Sequence, residues 1–203
     1  MKLEWLLLLL VPVLLGYWLS RDEVDLPWLS ADSTILAFGD SLTLGVGAPK
    51  GRDYPNVLAQ LTGIKVVNRG ISGETTAEGA RRFAAVLDEV QPELVLLLEG
   101  GNDFLRNQGE QQVEQNLALM ISQAQARGIS VVLIAVPQKS VWLAPAELYL
   151  RLAERYQLLL VESLLTELLT SPELKSDSVH LNELGYQRLA EQIRDKLVDA
   201  GAL

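Results

Sequence analysis

Thr34-Ile35-Leu36-Ala37-Phe38-Gly39-Asp40-Ser41-Leu42-Thr43 decides how the rest of this 203-residue chain is read. An unbroken apolar run, Thr34 to Phe38, is followed at once by a polar, glycine-containing turn. Runs of this kind are strands of parallel sheets, buried on both faces, and open α/β sheets place their ligands at the carboxyl ends of such strands. Ser41 therefore stands where chemistry is usually done, although Gly-Asp-Ser is also ordinary turn composition.

From Ser33 onward the pattern repeats, apolar strands alternating with helical periodicity, which is the signature of a doubly wound α/β domain. The loop Leu44–Gly51 lacks the Gly-Lys-Ser/Thr ending of a phosphate loop. A short helix, about Tyr54 to Leu61, leads through Gly63 to a second strand, Ile64 to Asn68. The turn Arg69-Gly70-Ile71-Ser72-Gly73-Glu74 then opens a helix capped by Thr75 or Thr76 and running to about Val90. A third strand, Leu94 to Leu98, ends in Glu99-Gly100-Gly101-Asn102-Asp103. A helix from about Glu110 to Arg127, a strand from Val131 to Val136, a helix from about Pro145 to Tyr156, a brief strand from Leu158 to Val161 and a short helix to about Leu169 follow. The last helix runs from about Asn182 to Val198, with Tyr186, Leu189, Ile193 and Leu197 turned inward.

The length suits one domain with an N-terminal extension. A net charge of −9 with scattered Lys and Arg argues against nucleic acid as a partner. The absence of cysteine excludes disulfides, thiolate catalysis and Cys-based metal sites, and leaves the compartment open.

Residues 1–21 read as a membrane anchor or signal segment, 22–33 as a linker lying on the domain or on a membrane surface, and 34–203 as the α/β domain. Trp5 to Leu19 carries no charge, and its 15 residues would span roughly 22 Å as a helix, against ~30 Å of hydrocarbon. Trp5 at one end and Tyr17 and Trp18 at the other suit the two interfaces, and Lys2 can snorkel. Cleavage as a secretory signal needs small residues before the cut, and Trp18-Leu19-Ser20 fits that poorly, so an uncleaved anchor is favoured over release. Lys2 keeps the amino terminus cytoplasmic, which in a bacterium with two membranes puts the domain in the periplasm.

His180, the only histidine, lies three residues after Asp177. That spacing lets the carboxylate accept from Nδ1–H and leaves Nε2 free, so Ser41, His180 and Asp177 are the parts of an activated nucleophile. In a sheet of order 2-1-3-4-5, Ser41, Gly73 and Asn102 leave three adjacent strand ends. The amides of Ser41 and Gly73 and the Asn102 side chain then converge as oxyanion donors. Trp142, Leu143 and Tyr149, in or after the loop beyond the fourth strand, are candidate acyl-pocket residues.

These motifs together resemble the GDSL or SGNH hydrolase superfamily: Gly39-Asp40-Ser41-Leu42, then Gly73 in Ser72-Gly73-Glu74-Thr75, Gly100-Gly101-Asn102-Asp103, and Asp177-Ser178-Val179-His180, in the family's order. Phe38 to Thr43 and Asn68 to Thr76 look most like its arylesterase, acyl-CoA thioesterase I and lysophospholipase branch. The resemblance implies a flavodoxin-like three-layer α/β/α sandwich with a five-stranded parallel sheet. It also implies hydrolysis of acyl esters by a Ser-His-Asp triad with no metal or other cofactor, on small-molecule or lipid-derived esters. Leu181 follows the histidine where proline is frequent in the family, and the serine motif lacks the second glycine of the α/β-hydrolase elbow. Carbohydrate O-deacetylation and a catalytically silent, membrane-tethered binding module are the alternatives.

Overall fold

The structure, a computed structural model, describes residues 24–138 and 144–203. Its sheet is built from β1 (Thr34–Gly39), β2 (Lys65–Gly70), β3 (Leu94–Leu98), β4 (Ser130–Ile134) and β7 (Leu159–Val161), with β5 (Pro137–Gln138) and β6 (Ala144–Pro145) forming a separate two-residue ladder. All neighbours in the main sheet are parallel, and the order is β2-β1-β3-β4-β7, the 2-1-3-4-5 order expected from the sequence once the small ladder is set aside. Ile35 to Phe38 on β1 and Leu94 to Leu98 on β3 are sealed from solvent, as unbroken apolar runs require when both faces of a sheet are covered.

The helices are α1 (Ser41–Leu44), α2 (Tyr54–Thr62), α3 (Thr76–Val90), α4 (Gly101–Leu105), α5 (Glu110–Gln125), α6 (Glu147–Tyr156), α7 (Leu164–Thr170) and α8 (Glu183–Asp199). α2 packs on α8, and α8 on α7, on one side of the sheet. α3, α5 and α6 cover the other, completing the three-layer sandwich. Each long helix turns one apolar face to the sheet: Phe83, Val86 and Leu87 in α3, Leu117, Met120 and Ile121 in α5, and Tyr186, Leu189, Ile193 and Leu197 in α8.

Three local features differ from the periodicity reading. The glycine turn after β3 continues as the helical turn α4, too short for an apolar period to announce. β2 runs on to Gly70, because Arg69 and Gly70 pair with Phe38 and Gly39. β4 stops at Ile134, and Pro137-Gln138 leaves the sheet to form the small ladder.

From residue 24 on, the segment read as a linker lies on the domain. Leu26 N–H donates to the Ala200 carbonyl and Leu29 N–H to that of Ala202, both at 2.9 Å, and the Leu29 side chain enters the core. The apolar run Trp5 to Leu19 lies outside the described residues. Among those described, no helix is long and apolar enough to cross a membrane.

Candidate active site

β1 delivers Asp40 and Ser41 to the carboxyl edge of the sheet. Gly39 is needed there, because a Cβ on it would sit 1.9 Å from the Leu98 carbonyl oxygen of β3. Asp40 caps α1, its Oδ1 accepting from Leu42 N–H at 2.9 Å, and this single turn fixes the backbone that carries Ser41.

His180 and Asp177 come from the far end of the chain, on the loop before α8. That loop is closed by the Lys175–Leu181 bridge and by Ser176 N–H donating to the His180 carbonyl at 3.0 Å. Asp177 Oδ1 accepts from the N–H groups of Val179 (2.8 Å) and His180 (2.9 Å), while Oδ2 lies 2.7 Å from His180 Nδ1. The His180 ring hydrogen bond, with the Val179 amide second, pulls the Asp177 carboxyl down to about 2. A carboxylate only accepts, so the Nδ1 proton belongs to the imidazole and Nε2 is left as acceptor. Nε2 lies 3.0 Å from Ser41 Oγ. The three side chains therefore stand in one hydrogen-bonded row, although 139 positions separate serine from histidine.

Gly73 follows β2 with φ at +78°, a conformation that favours glycine, and its carbonyl accepts from Arg106 at 2.8 Å. The N–H groups of Ser41 and Gly73 have no acceptor among the described residues. Asn102, in α4, is tied on both sides: its side-chain amide donates to the Glu74 carbonyl at 2.9 Å and to Asp40 Oδ2 at 3.2 Å. Asp40 thus holds the turn that carries Ser41 with one oxygen and the Asn102 amide with the other. Burial pushes its carboxyl up to about 6, against the pull of the Leu42 amide.

Beneath this edge lies a group of buried acids that the motif spacing did not reveal as structural parts. Asp103 accepts from Thr76 N–H (2.9 Å) and hydroxyl (2.7 Å). Glu74 pairs with Arg82, whose guanidinium also covers the Phe38 ring at 3.9 Å. Glu99 is fully buried, and neither carboxyl oxygen has a hydrogen-bond partner among the described residues. Its sequence signal was a charged residue closing an apolar strand.

Ser41, Gly73, Asn102 and His180 line one cavity of about 530 Å³. Its apolar wall is made by Phe104, Leu105, Val136, Pro137, Leu169 and Val179. These come from separate segments, so no linear motif marks them. Tyr149, expected in the acyl pocket, is instead a core residue: it is fully buried in α6 and its hydroxyl donates to the Glu99 carbonyl at 2.7 Å. Its ring faces the sheet, because α6 must bury one side there. Trp142 and Leu143 lie outside the described residues. Among the described residues, no cluster of three or more His, Asp or Glu is placed to hold a metal ion.

Residues 37–188 match the model of the GDSL-like lipase/acylhydrolase family. The chain is 32% identical over 179 residues to an arylesterase of Vibrio mimicus, covering 83% of this chain and 90% of that protein. It is 29% identical over 176 residues to thioesterase 1/protease 1/lysophospholipase L1 of Escherichia coli K12, covering 83% and 85%. Among solved structures it resembles TesA, with a TM-score of 0.74 at 30% identity over 82% of this chain and 99% of that one. It also resembles AlinE4, an SGNH-hydrolase family esterase, with a TM-score of 0.67 at 32% identity over 85% and 98%.

Proposed function

Because the chain belongs to the GDSL-like lipase/acylhydrolase family and is a carboxylic ester hydrolase, we propose that Ser41, His180 and Asp177 are its catalytic triad and that it cleaves aryl esters, acyl thioesters and lysophospholipid-type esters. The observation that carries the reading is the pair of contacts on His180, 3.0 Å to Ser41 Oγ and 2.7 Å to Asp177 Oδ2.

In the first step Ser41 Oγ attacks the carbonyl carbon as its proton passes to His180 Nε2. Asp177 holds the ring by Nδ1–H and stabilises the imidazolium. Charge gathers on the former carbonyl oxygen, which takes the free N–H groups of Ser41 and Gly73 together with an N–H of Asn102. Asn102 supplies it by giving up its longer bond, to Asp40. Nε2 then returns the proton to the leaving oxygen or sulfur, and the acyl group stays on Ser41. Water attacks the acyl-enzyme, His180 taking its proton and passing it to Ser41 Oγ as the acid departs. The apolar wall favours an acyl chain longer than acetyl, and thereby lipid-type esters over carbohydrate O-acetyl groups.

The test is hydrolysis of a p-nitrophenyl ester series from acetyl to palmitoyl, with Ser41→Ala alongside. The expected outcome is an optimum beyond acetyl, with turnover lost in the variant. An acetyl-only profile would instead support O-deacetylation. Failure of a fluorophosphonate to label Ser41 in folded protein would support the silent binding module. The reading also includes attachment of the domain to a bacterial inner membrane through the run Trp5 to Leu19, with the domain on the periplasmic side.

A further inference from the structure

We infer that the membrane segment and the active site lie at opposite poles of the domain, so that the site opens away from the bilayer that holds the chain and takes its esters from the aqueous side. The inference rests on the anchoring included in the proposed function. Its geometry comes from the described residues.

Asn182, two positions after His180, caps α8 at the site end of the sheet, its side chain accepting from Gly185 N–H. α8 then runs for 17 residues to Asp199, about 25 Å at 1.5 Å per residue. At that far end, the Ala200 and Ala202 carbonyls receive Leu26 N–H and Leu29 N–H, just before β1 enters the sheet at its amino edge. The segment after the apolar run is therefore pinned to the pole remote from His180. Only four residues lie between Leu19 and residue 24, five steps with a reach of at most roughly 18 Å. That is shorter than α8, so the connector cannot carry the cavity mouth to the surface from which the chain emerges.

The exposed side chains at the pinned pole point to what covers it. Trp28, between the two anchored amides, is 71% exposed, the most of the large apolar residues among those described, and Val198, near the end of α8, is 50% exposed. An aromatic ring left in water beside a membrane segment suits the headgroup interface. Asp25 and Asp199 flank the same contacts, so the lipid surface is met by this ring and not by charge attraction to anionic headgroups.

The full chain tests this directly. It has no cysteine, so Asp199→Cys and Gln108→Cys each place one fluorophore, the first at the pinned pole and the second on an exposed loop beside the cavity wall. In vesicles of phosphatidylethanolamine and phosphatidylglycerol carrying a small fraction of acceptor-labelled lipid, energy transfer to the bilayer should be several-fold stronger from position 199 than from 108. Equal transfer, or stronger transfer from 108, overturns the orientation. Failure of the chain to sediment with the vesicles overturns the anchoring beneath it. Neither readout depends on turnover, and p-nitrophenyl butyrate hydrolysis in the same samples reports the esterase reading separately.

The same vesicles provide a functional arm. p-Nitrophenyl palmitate dissolved in the tethering bilayer should turn over at least ten-fold more slowly than in mixed micelles, with butyrate unaffected. A 30-residue Gly/Ser insert between Arg21 and Asp22, with a reach of about 30 Å, should relieve that deficit. Equal palmitate turnover in vesicles and micelles without the insert overturns the inference.

Discussion

Asp177 holds three donors at once, the amides of Val179 and His180 and the imidazole Nδ1, and this makes its replacement informative. In Asp177→Asn the amide can present its NH₂ to Nδ1, which reverses the tautomer and puts the ring proton on Nε2, where Ser41 needs an acceptor. Turnover should fall by about 10⁴ with substrate binding little changed, measured as kcat against KM. The carboxyl lies below its ordinary 3.8, at about 2. A depressed value stabilises the fold above pH 3.8, and that contribution is lost as the pH falls toward 2. The stability deficit of Asp177→Asn should therefore shrink over that window in urea midpoints. Asn102→Ala should lower kcat by about 10²–10³ if the amide serves the oxyanion. Unchanged kcat with a melting temperature drop would mean that it only ties Asp40 to Glu74.

Each side chain of the proposed triad stands at or beside the end of an element whose packing sets its position. β1 and β3 approach so closely at Gly39 that any side chain there would overlap the Leu98 carbonyl, itself fixed within β3. Gly39→Ala must push the two central strands apart just before Ser41. It should cost more than the ~1–3 kcal/mol of ordinary overpacking, and should lower turnover in whatever protein still folds; denaturant midpoints and kcat on one sample check both. α3 starts with a reciprocal cap, Thr75 against Glu78, and Glu78 takes both the Thr75 N–H and hydroxyl. This cap follows directly on the Gly73 turn. Its signature, threonine followed three residues later by glutamate, is legible in sequence, whereas the turn α4 that carries Asn102 has no such signal.

Over the whole molecule, the buried Glu99 under the sheet edge makes stability depend on pH. Glu99 is sealed from solvent with no hydrogen-bond partner among the described residues, and burial holds its carboxyl well above the usual range, with Asp40 and Glu74 adding to the effect. A raised value means that the neutral form folds best: stability is full below about pH 4.5 and declines as the pH rises toward the folded-state value. Glu99→Gln removes that decline. The difference in unfolding free energy between variant and wild type should be near zero at pH 4 and move in favour of the variant as the pH rises to 8; no change across the range would mean that Glu99 is solvated in the folded protein. The sequence by itself determined the parallel α/β order and singled out Ser41, Gly73, Asn102, Asp177 and His180 as the proposed site, because strand burial and helix periodicity are local and these residues sit in short motifs at strand ends or just before the last helix. Tertiary structure alone decided the rest. Tyr149 went to the core because α6 turns that face to the sheet, and the cavity wall was assembled from residues far apart in the chain. Asp40 became the shared support of Ser41 and Asn102, and the chain's entry point was set at the pole away from His180. Those outcomes depend on which surfaces meet when the layers close, and no local pattern of side chains encodes a distance between segments.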